Sequence, residues 1–413
     1  MFQGWRIVGV AALAQGVSLG STFYAYGAFL KPLTAEFGAS RLAVTLGLTL
    51  LTLVQGAVAP FLGRALDRRS PRAIMIAGLV TEAAGLAMLS QVFAFWQAGA
   101  LFVTAIAIGS CLFGPLVAAT LVARWFVRRR GQALGIAALG AALGGAAFPP
   151  LVTALIEALG WRGAVGAMGA GLLLLIGPFA WALVRQPEDV GVTPDGEPVA
   201  TPASPGSAGA PIAFVTTGAL VRDPNFWAIT TAIGFAFCPV SALLAHLVPY
   251  ATDIGISPRR AAIVMSGYAL GGGVGRVLFC SLADRIDKRV VVWIAYGWLA
   301  LCWSRLLGQP SFVALLVAVV AAGVAVGGIT PLWGALTGAT YGRAAFGRAM
   351  GLMNLLMLPF SIVGAPAAAY LFDRTGSYRL AFASFLGCFV LGAIAIAFLR
   401  LPAHEPGAAL RKA

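Results

Sequence analysis

A chain of 413 residues with 60% hydrophobic and 10% charged residues and a mean hydropathy of +0.91 is far from a soluble domain, where about 25% of residues are charged. A formal net charge of +14 would point to nucleic acid in a soluble protein, but here the basic residues occupy short segments between long apolar stretches. The five cysteines (Cys111, Cys238, Cys280, Cys302 and Cys388) fall within or at the ends of those stretches, with no CxxC pair and no Cys/His cluster, which argues against a disulfide framework and a zinc site.

The apolar stretches are each near the roughly 20 residues that cross a bilayer. Predicted spans run over 7–30, 42–63, 73–90, 98–123, 133–157 and 164–184, then 225–250, 261–283, 290–308, 311–337, 350–372 and 380–400. The expected fold class is an all-α polytopic membrane protein with twelve transmembrane helices in two six-helix halves. Residues 1–184 make the N-terminal half and 225–413 the C-terminal half with a short tail. Between them, 185–224 is rich in Pro, Gly, Ser, Ala and acids, too polar to span and too rich in Pro and Gly to pack, and reads as a cytoplasmic linker. No small-residue cleavage signal follows the first stretch, which reads as a retained helix.

Basic residues crowd alternate loops: Arg64, Arg68, Arg69 and Arg72, then Arg124, Arg128, Arg129 and Arg130, then Arg285, Lys288 and Arg289. The intervening loops are poorer, and this asymmetry places the rich loops and both termini in the cytoplasm. Arginine far outnumbers lysine, a composition expected of a GC-rich bacterial genome and hence of a bacterial inner membrane.

Polar residues inside the spans mark candidate lining faces. Span one carries Gln15, Ser18, Thr22 and Tyr26 at three- and four-residue steps, beside Phe23 and Tyr24. Span two carries Thr45, Thr49, Thr52 and Gln55, span ten Thr330, Trp333 and Thr337, and span eleven Asn354 and Ser361. Such spacing puts each set on one helix face, where it lines a path or hydrogen-bonds another helix. Glu82 in span three and His246 in span seven are the candidate proton carriers, and each also reads as a structural group. Arg305, near the end of span nine, is expected to snorkel.

Arg276 is the most informative of these residues. Guanidinium at such depth costs roughly 2.5–3.5 kcal/mol on insertion scales, a cost that an anionic ligand offsets. Its planar donors grip a carboxylate through two parallel bonds. Tyr268 and Gly272 lie on roughly the same helix face, and the missing side chain at Gly272 is expected to leave room for substrate.

The two halves repeat. Gly63-Arg-Ala-Leu-Asp67-Arg68 follows span two, and Cys280-Ser-Leu-Ala-Asp284-Arg285 follows span eight. The first resembles the loop signature of the major facilitator superfamily in Gly63, Asp67 and Arg68; the second is a degenerate copy. The entry to span five, Trp125-Phe126-Val-Arg128-Arg129-Arg130-Gly-Gln-Ala133-Leu-Gly135-Ile-Ala137-Ala-Leu-Gly140-Ala-Ala-Leu-Gly144, resembles the monocarboxylate transporter signature, departing at Gln132 and Leu139. Gly4-Trp5, the stretch from Pro187 to Gly196, and Tyr250-Ala-Thr-Asp253-Ile-Gly-Ile-Ser257 with Gly275-Arg276 are similar to prokaryotic relatives of that group and of oxalate–formate transporters.

The resemblance implies a secondary transporter that moves a small organic monocarboxylate by alternating access, with a monomeric functional unit and without cofactor or metal, and with Arg276 matching the residue that binds the carboxylate. Gly63, Asp67, Arg68, Asp284, Arg285, Arg128 and Arg129 would then serve gating, and Tyr24, Tyr26, Thr22, Trp333, Asn354, Tyr268 and Gly272 would line the site. Three departures bear on mechanism. Gly272 stands where animal lactate transporters have a proton-coupling aspartate, their inner lysine has no match in span one, and span eleven lacks the second cation of oxalate–formate exchangers. Proton symport, exchange and facilitated diffusion therefore stay open, as does a second reading as an exporter of amphipathic compounds by proton antiport. An intramembrane enzyme is not expected: no HExxH motif occurs, and of two histidines, His404 lies in the tail.

Overall fold

The computed structural model describes residues 3–126, 130–183 and 217–400. Arg128, Arg129, most of the predicted linker, the tail with His404, and the side chains of Asp67, Arg68 and Asp284 lie outside the described set. Ten helical runs are long and apolar enough to cross a membrane. One of them, Gln132–Phe179, turns back at Gly160 (φ 70°), a left-handed conformation that glycine adopts without steric cost, and so holds two spans. A further helix, Lys288–Leu306, carries Lys288, Arg289 and Arg305 within an otherwise apolar run and completes twelve.

In chain order the helices are α1 (Gln3–Phe37), α2 (Arg41–Arg68), α3 (Pro71–Leu89), α4 (Phe95–Trp125), α5 (130–159) and α6 (161–183). The second set is α7 (Pro224–Asp253), α8 (Pro258–Arg285), α9 (Lys288–Leu306), α10 (Phe312–Tyr341), α11 (Arg348–Thr375) and α12 (Arg379–Ala397). The chain reverses between α10 and α11, since Trp333 and Thr337 both meet the sulfur of Met353, at 3.4 and 3.6 Å. α1 runs past its predicted end by two turns and is not uniform: Gly20–Tyr24 is a π-helical turn. A second such turn, Phe102–Ile106, interrupts α4.

Each half has its own core. One cluster of buried side chains lies within residues 7–176 and includes Leu51, Met75, Phe113 and Trp125. The other lies within 220–399 and includes Phe226, Met265, Trp303 and Phe382. In lipid, helices associate through close packing of small residues rather than through burial from water. Accordingly, Gly140 and Gly144 of α5 sit on the backbone of Ala12 and Gly16 in α1, with no room for a Cβ. The C-terminal half uses the same pair of helices in its own order, Gly364 of α11 on the carbonyl of Cys238 in α7.

That packing predicts a position-specific outcome. Gly144→Val drives a side chain into rigid backbone, and the cost is expected at or above the upper end of the about 1–3 kcal/mol typical of overpacking. Gly135→Val, where nothing lies within 4 Å of the added atom, should be tolerated. Size-exclusion profiles and melting temperatures of the two purified variants distinguish them.

Candidate substrate site and gate

The halves meet along three helix pairs. Gly27 of α1 packs on the carbonyls of Leu244 and Ala245 in α7, α2 meets α11 from Leu42–Asp373 through Thr49–Ile362 to Gly56–Leu358, and α5 runs beside α8. Along this last pair Arg259 bonds Glu157 at 2.7 Å, the Ser266 hydroxyl donates to the Ala146 carbonyl at 2.6 Å, and Ala269 touches Gly145. Arg276 follows two turns further on.

Arg276 is half-buried, and its Nη1 donates to the carbonyl of Ala138 in α5 at 2.8 Å. No acidic side chain pairs with it among the described residues. A guanidinium has five N–H donors, so a carbonyl held by one of them leaves most of its capacity for a ligand. Tyr24 lies within reach of its charge, with its ring edge against Gly145. Although Tyr24 belongs to the N-terminal half, its ring packs on the core of the C-terminal half. Tyr268, two turns back along α8, is buried, and its hydroxyl has no hydrogen-bond partner among the described residues. Tyr24, Tyr268 and Arg276 thus gather at the seam.

Other predicted lining residues do not join them. Thr22 donates to the Ser18 carbonyl at 2.6 Å, and the Tyr26 hydroxyl bonds the Val44 carbonyl inside the N-terminal half. Tyr26 lines a cavity of about 290 Å³ walled by Phe29, Phe102, Trp96 and Trp161. Trp333 bonds Met353 within the C-terminal half, and Asn354 is exposed. Gly272 faces α10. Its carbonyl seats Gly327 of α10, and a Cβ there would point at the Gly323 carbonyl, 3.7 Å away. That distance is ordinary contact, so the tight approach here is the Gly272 carbonyl on Gly327.

The signature residues behave as a structural frame. Trp5 meets Phe126 at 5.1 Å between ring centroids, which joins the start of α1 to the aromatic pair before α5. Arg124 donates to the Leu66 carbonyl at 2.5 Å, tying the end of α4 to the end of α2. Gly63 has open space around it, and Arg285 is exposed.

At the opposite ends of the helices lies a cluster that the sequence reading did not assemble. Arg41 at the start of α2 forks onto Asp253 at the end of α7 (2.6 and 3.2 Å), donates to the Tyr378 hydroxyl (2.7 Å), and lies 3.7 Å above the Phe372 ring. Lys31 of α1 also pairs with Asp253, at 2.7 Å. Asp373 accepts from the backbone N–H groups of Arg41 and Leu42, at 3.2 and 2.9 Å, a carboxylate against a helix N-terminus. All of these contacts cross from one half to the other.

His246 belongs to this cluster. Its Nε2 faces the Ala365 carbonyl at 3.0 Å and its Nδ1 faces the Tyr378 hydroxyl at 3.0 Å. A carbonyl only accepts, so Nε2 carries the proton in the neutral ring and Nδ1 accepts from Tyr378, whose oxygen accepts from Arg41. Glu82 lies elsewhere, fully buried between α1 and α4, where Ser21 Oγ stands 2.9 Å from Oε1 and Oε2 has no partner among the described residues.

With this geometry in hand, the comparisons with known proteins are consistent. The family model of the Major Facilitator Superfamily matches residues 11–251 and 236–413, and the chain belongs to that superfamily. It is a multi-pass membrane transporter and not an enzyme. Relatives include Monocarboxylate transporter 13 of Bos taurus, 27% identical over 388 residues that cover 92% of this chain and 85% of the relative. Monocarboxylate transporter 11 of Mus musculus is 29% identical over 423 residues, covering 98% and 88%. Within the superfamily the chain is monocarboxylate transporter-like. Its fold is shared with a bacterial homolog of the human lysosomal transporter Spinster in an inward-facing and occupied conformation, at a TM-score of 0.72, 15% identity and 95% coverage of each chain.

Proposed function

We propose that this protein carries a small organic monocarboxylate across a bacterial inner membrane by alternating access, with both termini in the cytoplasm and one chain as the functional unit. The observation that carries the reading is Arg276: a cation at the seam between the halves, without an acidic partner among the described residues, whose one described bond is to a carbonyl of the opposite half. A carboxylate arriving there replaces that neutral bond by a charge-assisted pair. Tyr268 supplies an unpartnered hydroxyl and Tyr24 an aromatic wall. A single cation suits a monoanion. Similarity to monocarboxylate transporters over most of the chain supports the same substrate class.

In this reading the Arg41–Asp253 cluster is the outer gate, and rocking of the halves alternately breaks it and exposes Arg276. Thermal stabilisation of the purified protein across a panel of mono- and dicarboxylates, their amides and amphipathic cations tests the substrate class. A ligand that binds only the folded state raises stability with its concentration, by about 2.7 kcal/mol at a hundred times Kd. Stabilisation by monocarboxylates and not by the matching amides is expected. A response to amphipathic cations alone would contradict the reading and favour the exporter.

A further inference from the structure

Glu82 is a carboxyl placed where a permanent charge has no support. It is wholly buried in α3. The elements packed on it offer Ser21 from α1 and the backbone contact of Gly109 from α4, while Gly169 of α6 packs one residue along, on Ala83. No arginine, lysine or histidine pairs with it among the described residues, and no second titratable side chain faces it. Burying an unpaired carboxylate is far more costly than burying the neutral acid, so the site favours a proton on Glu82.

The hydroxyl of Ser21 is poised between two arrangements. It lies 2.9 Å from Glu82 Oε1 and 3.3 Å from the Ser18 carbonyl, and its one proton cannot serve both well. When Glu82 is protonated, its O–H donates to Ser21 Oγ and Ser21 donates to Ser18. When Glu82 is ionised, Ser21 turns to donate to the carboxylate and releases Ser18. The two arrangements differ in which way the Ser21 hydroxyl points, so proton occupancy is written into the hydrogen-bond direction at α1.

Two further features make that direction consequential. Ser21 and Tyr24 share the π-helical turn Gly20–Tyr24, a geometry that recurs at functional sites. One side of the turn therefore touches Glu82, and the other places Tyr24 against the C-terminal half within reach of Arg276. A polar file also leads from this turn to the seam: Ser18 Oγ donates to the Ser110 carbonyl at 3.0 Å, and Gln55 Nε2 donates to Ser110 Oγ at 2.9 Å. The next residue, Gly56, faces Leu358 of the other half.

We propose that Glu82 carries the coupled proton of the transport cycle and that the π-helical turn of α1 transmits its occupancy to Tyr24 at the substrate site. The step is a proton transfer. The Glu82 O–H bond breaks, the proton passes by way of Ser21 Oγ to water admitted along the Ser18–Ser110–Gln55 file, and the carboxylate keeps the electron pair. Return of a proton from the other side of the membrane restores the acid. This deepens the proposed function by naming the coupling ion, and it rests on that reading for the identity of the cargo.

The test uses the full-length protein, wild type beside Glu82→Gln, in two readouts. Infrared difference spectra across a pH titration should show a protonated-carboxyl C=O band that titrates in wild type and is missing in Glu82→Gln. Proteoliposomes with radiolabelled lactate should show about tenfold accumulation per unit of pH gradient in wild type, the value for one proton per lactate. Glu82→Gln should lose that accumulation and keep lactate counterflow, a split that a merely structural carboxyl would not produce because glutamine replaces the neutral acid. Gradient-driven accumulation that survives in Glu82→Gln, or a carboxyl band indifferent to that substitution, would overturn the proposal.

Failure of lactate to enter with any driving force would count against the proposed cargo, while the infrared band would still decide Glu82. Should Glu82→Gln not fold, Ser21→Ala serves, since removing the hydroxyl should shift the midpoint of the band. An unchanged midpoint would overturn the role of Ser21 and the proposal with it.

Discussion

Arg276→Gln is expected to weaken monocarboxylate binding by about 10- to 150-fold, as follows from a loss of roughly 1.5–3 kcal/mol for hydrogen bonds to a charged group. The fold should survive. Arg276 makes one described bond, to the Ala138 carbonyl at 2.8 Å, and a glutamine amide can donate the same bond without bringing a charge into the membrane. Melting temperature without ligand should therefore hold or rise slightly, while the carboxylate-induced shift disappears. Arg276→Lys separates charge from geometry. It keeps the cation but offers a point charge in place of the planar fork, and an intermediate affinity is expected. A variant that fails to fold would instead assign Arg276 to structure.

Arg41→Gln is expected to shift the conformational balance away from the state described here. Arg41 joins the halves through a two-point bond to Asp253, a bond to Tyr378 and its seat above Phe372. Breaking a fully buried ion pair costs about 3–5 kcal/mol, and exposed pairs contribute at most about 1 kcal/mol. Side-chain exposures of 15% for Arg41 and 26% for Asp253 place this pair between those limits, at about 1–3 kcal/mol. The closed population should fall by about 5- to 150-fold relative to the open one. A cysteine introduced at Thr49, where α2 meets Ile362 of α11, reports the change as faster modification by a membrane-impermeant thiol reagent. Asp253→Asn should act in the same direction, and the double variant should fall short of the sum, because one interaction is removed twice.

Much of the fold was legible in the chain. Hydropathy alone placed the spans, since a helix that satisfies its own backbone is one of few structures a bilayer accepts. Gly140 and Gly144 were legible as a close-packing face, although their partners Ala12 and Gly16 depend on the tertiary arrangement. Arg276 stood out because one charge in an apolar run is costly. Tyr24 was among the expected lining residues, but the turn that directs it towards the C-terminal half is a local π-helical insertion with no periodic signature.

The gate was out of reach for a different reason. Arg41, Asp253 and Tyr378 are separated by more than a hundred residues from one another, and their pairing follows from the helix ends meeting in space. His246 looked like a lone titratable residue until both ring nitrogens proved to be bonded. Periodicity misled at Thr22 and Tyr26, whose hydroxyls bond within the N-terminal half. A polar stripe on one helix face is the same in sequence whether it lines a path or bonds within the half: Thr22 satisfies itself on its own backbone, as short hydroxyl side chains can, and Tyr26 bonds a carbonyl of α2.

Radiolabelled lactate counterflow into proteoliposomes, wild type beside Arg276→Gln at matched reconstitution, tests the central claim most directly. Counterflow needs no pH gradient, so it isolates the substrate site from the coupling ion. Saturable counterflow in wild type that is lost in the folded variant is the expected result. Equal counterflow by both proteins would contradict the assignment of Arg276 as the carboxylate anchor.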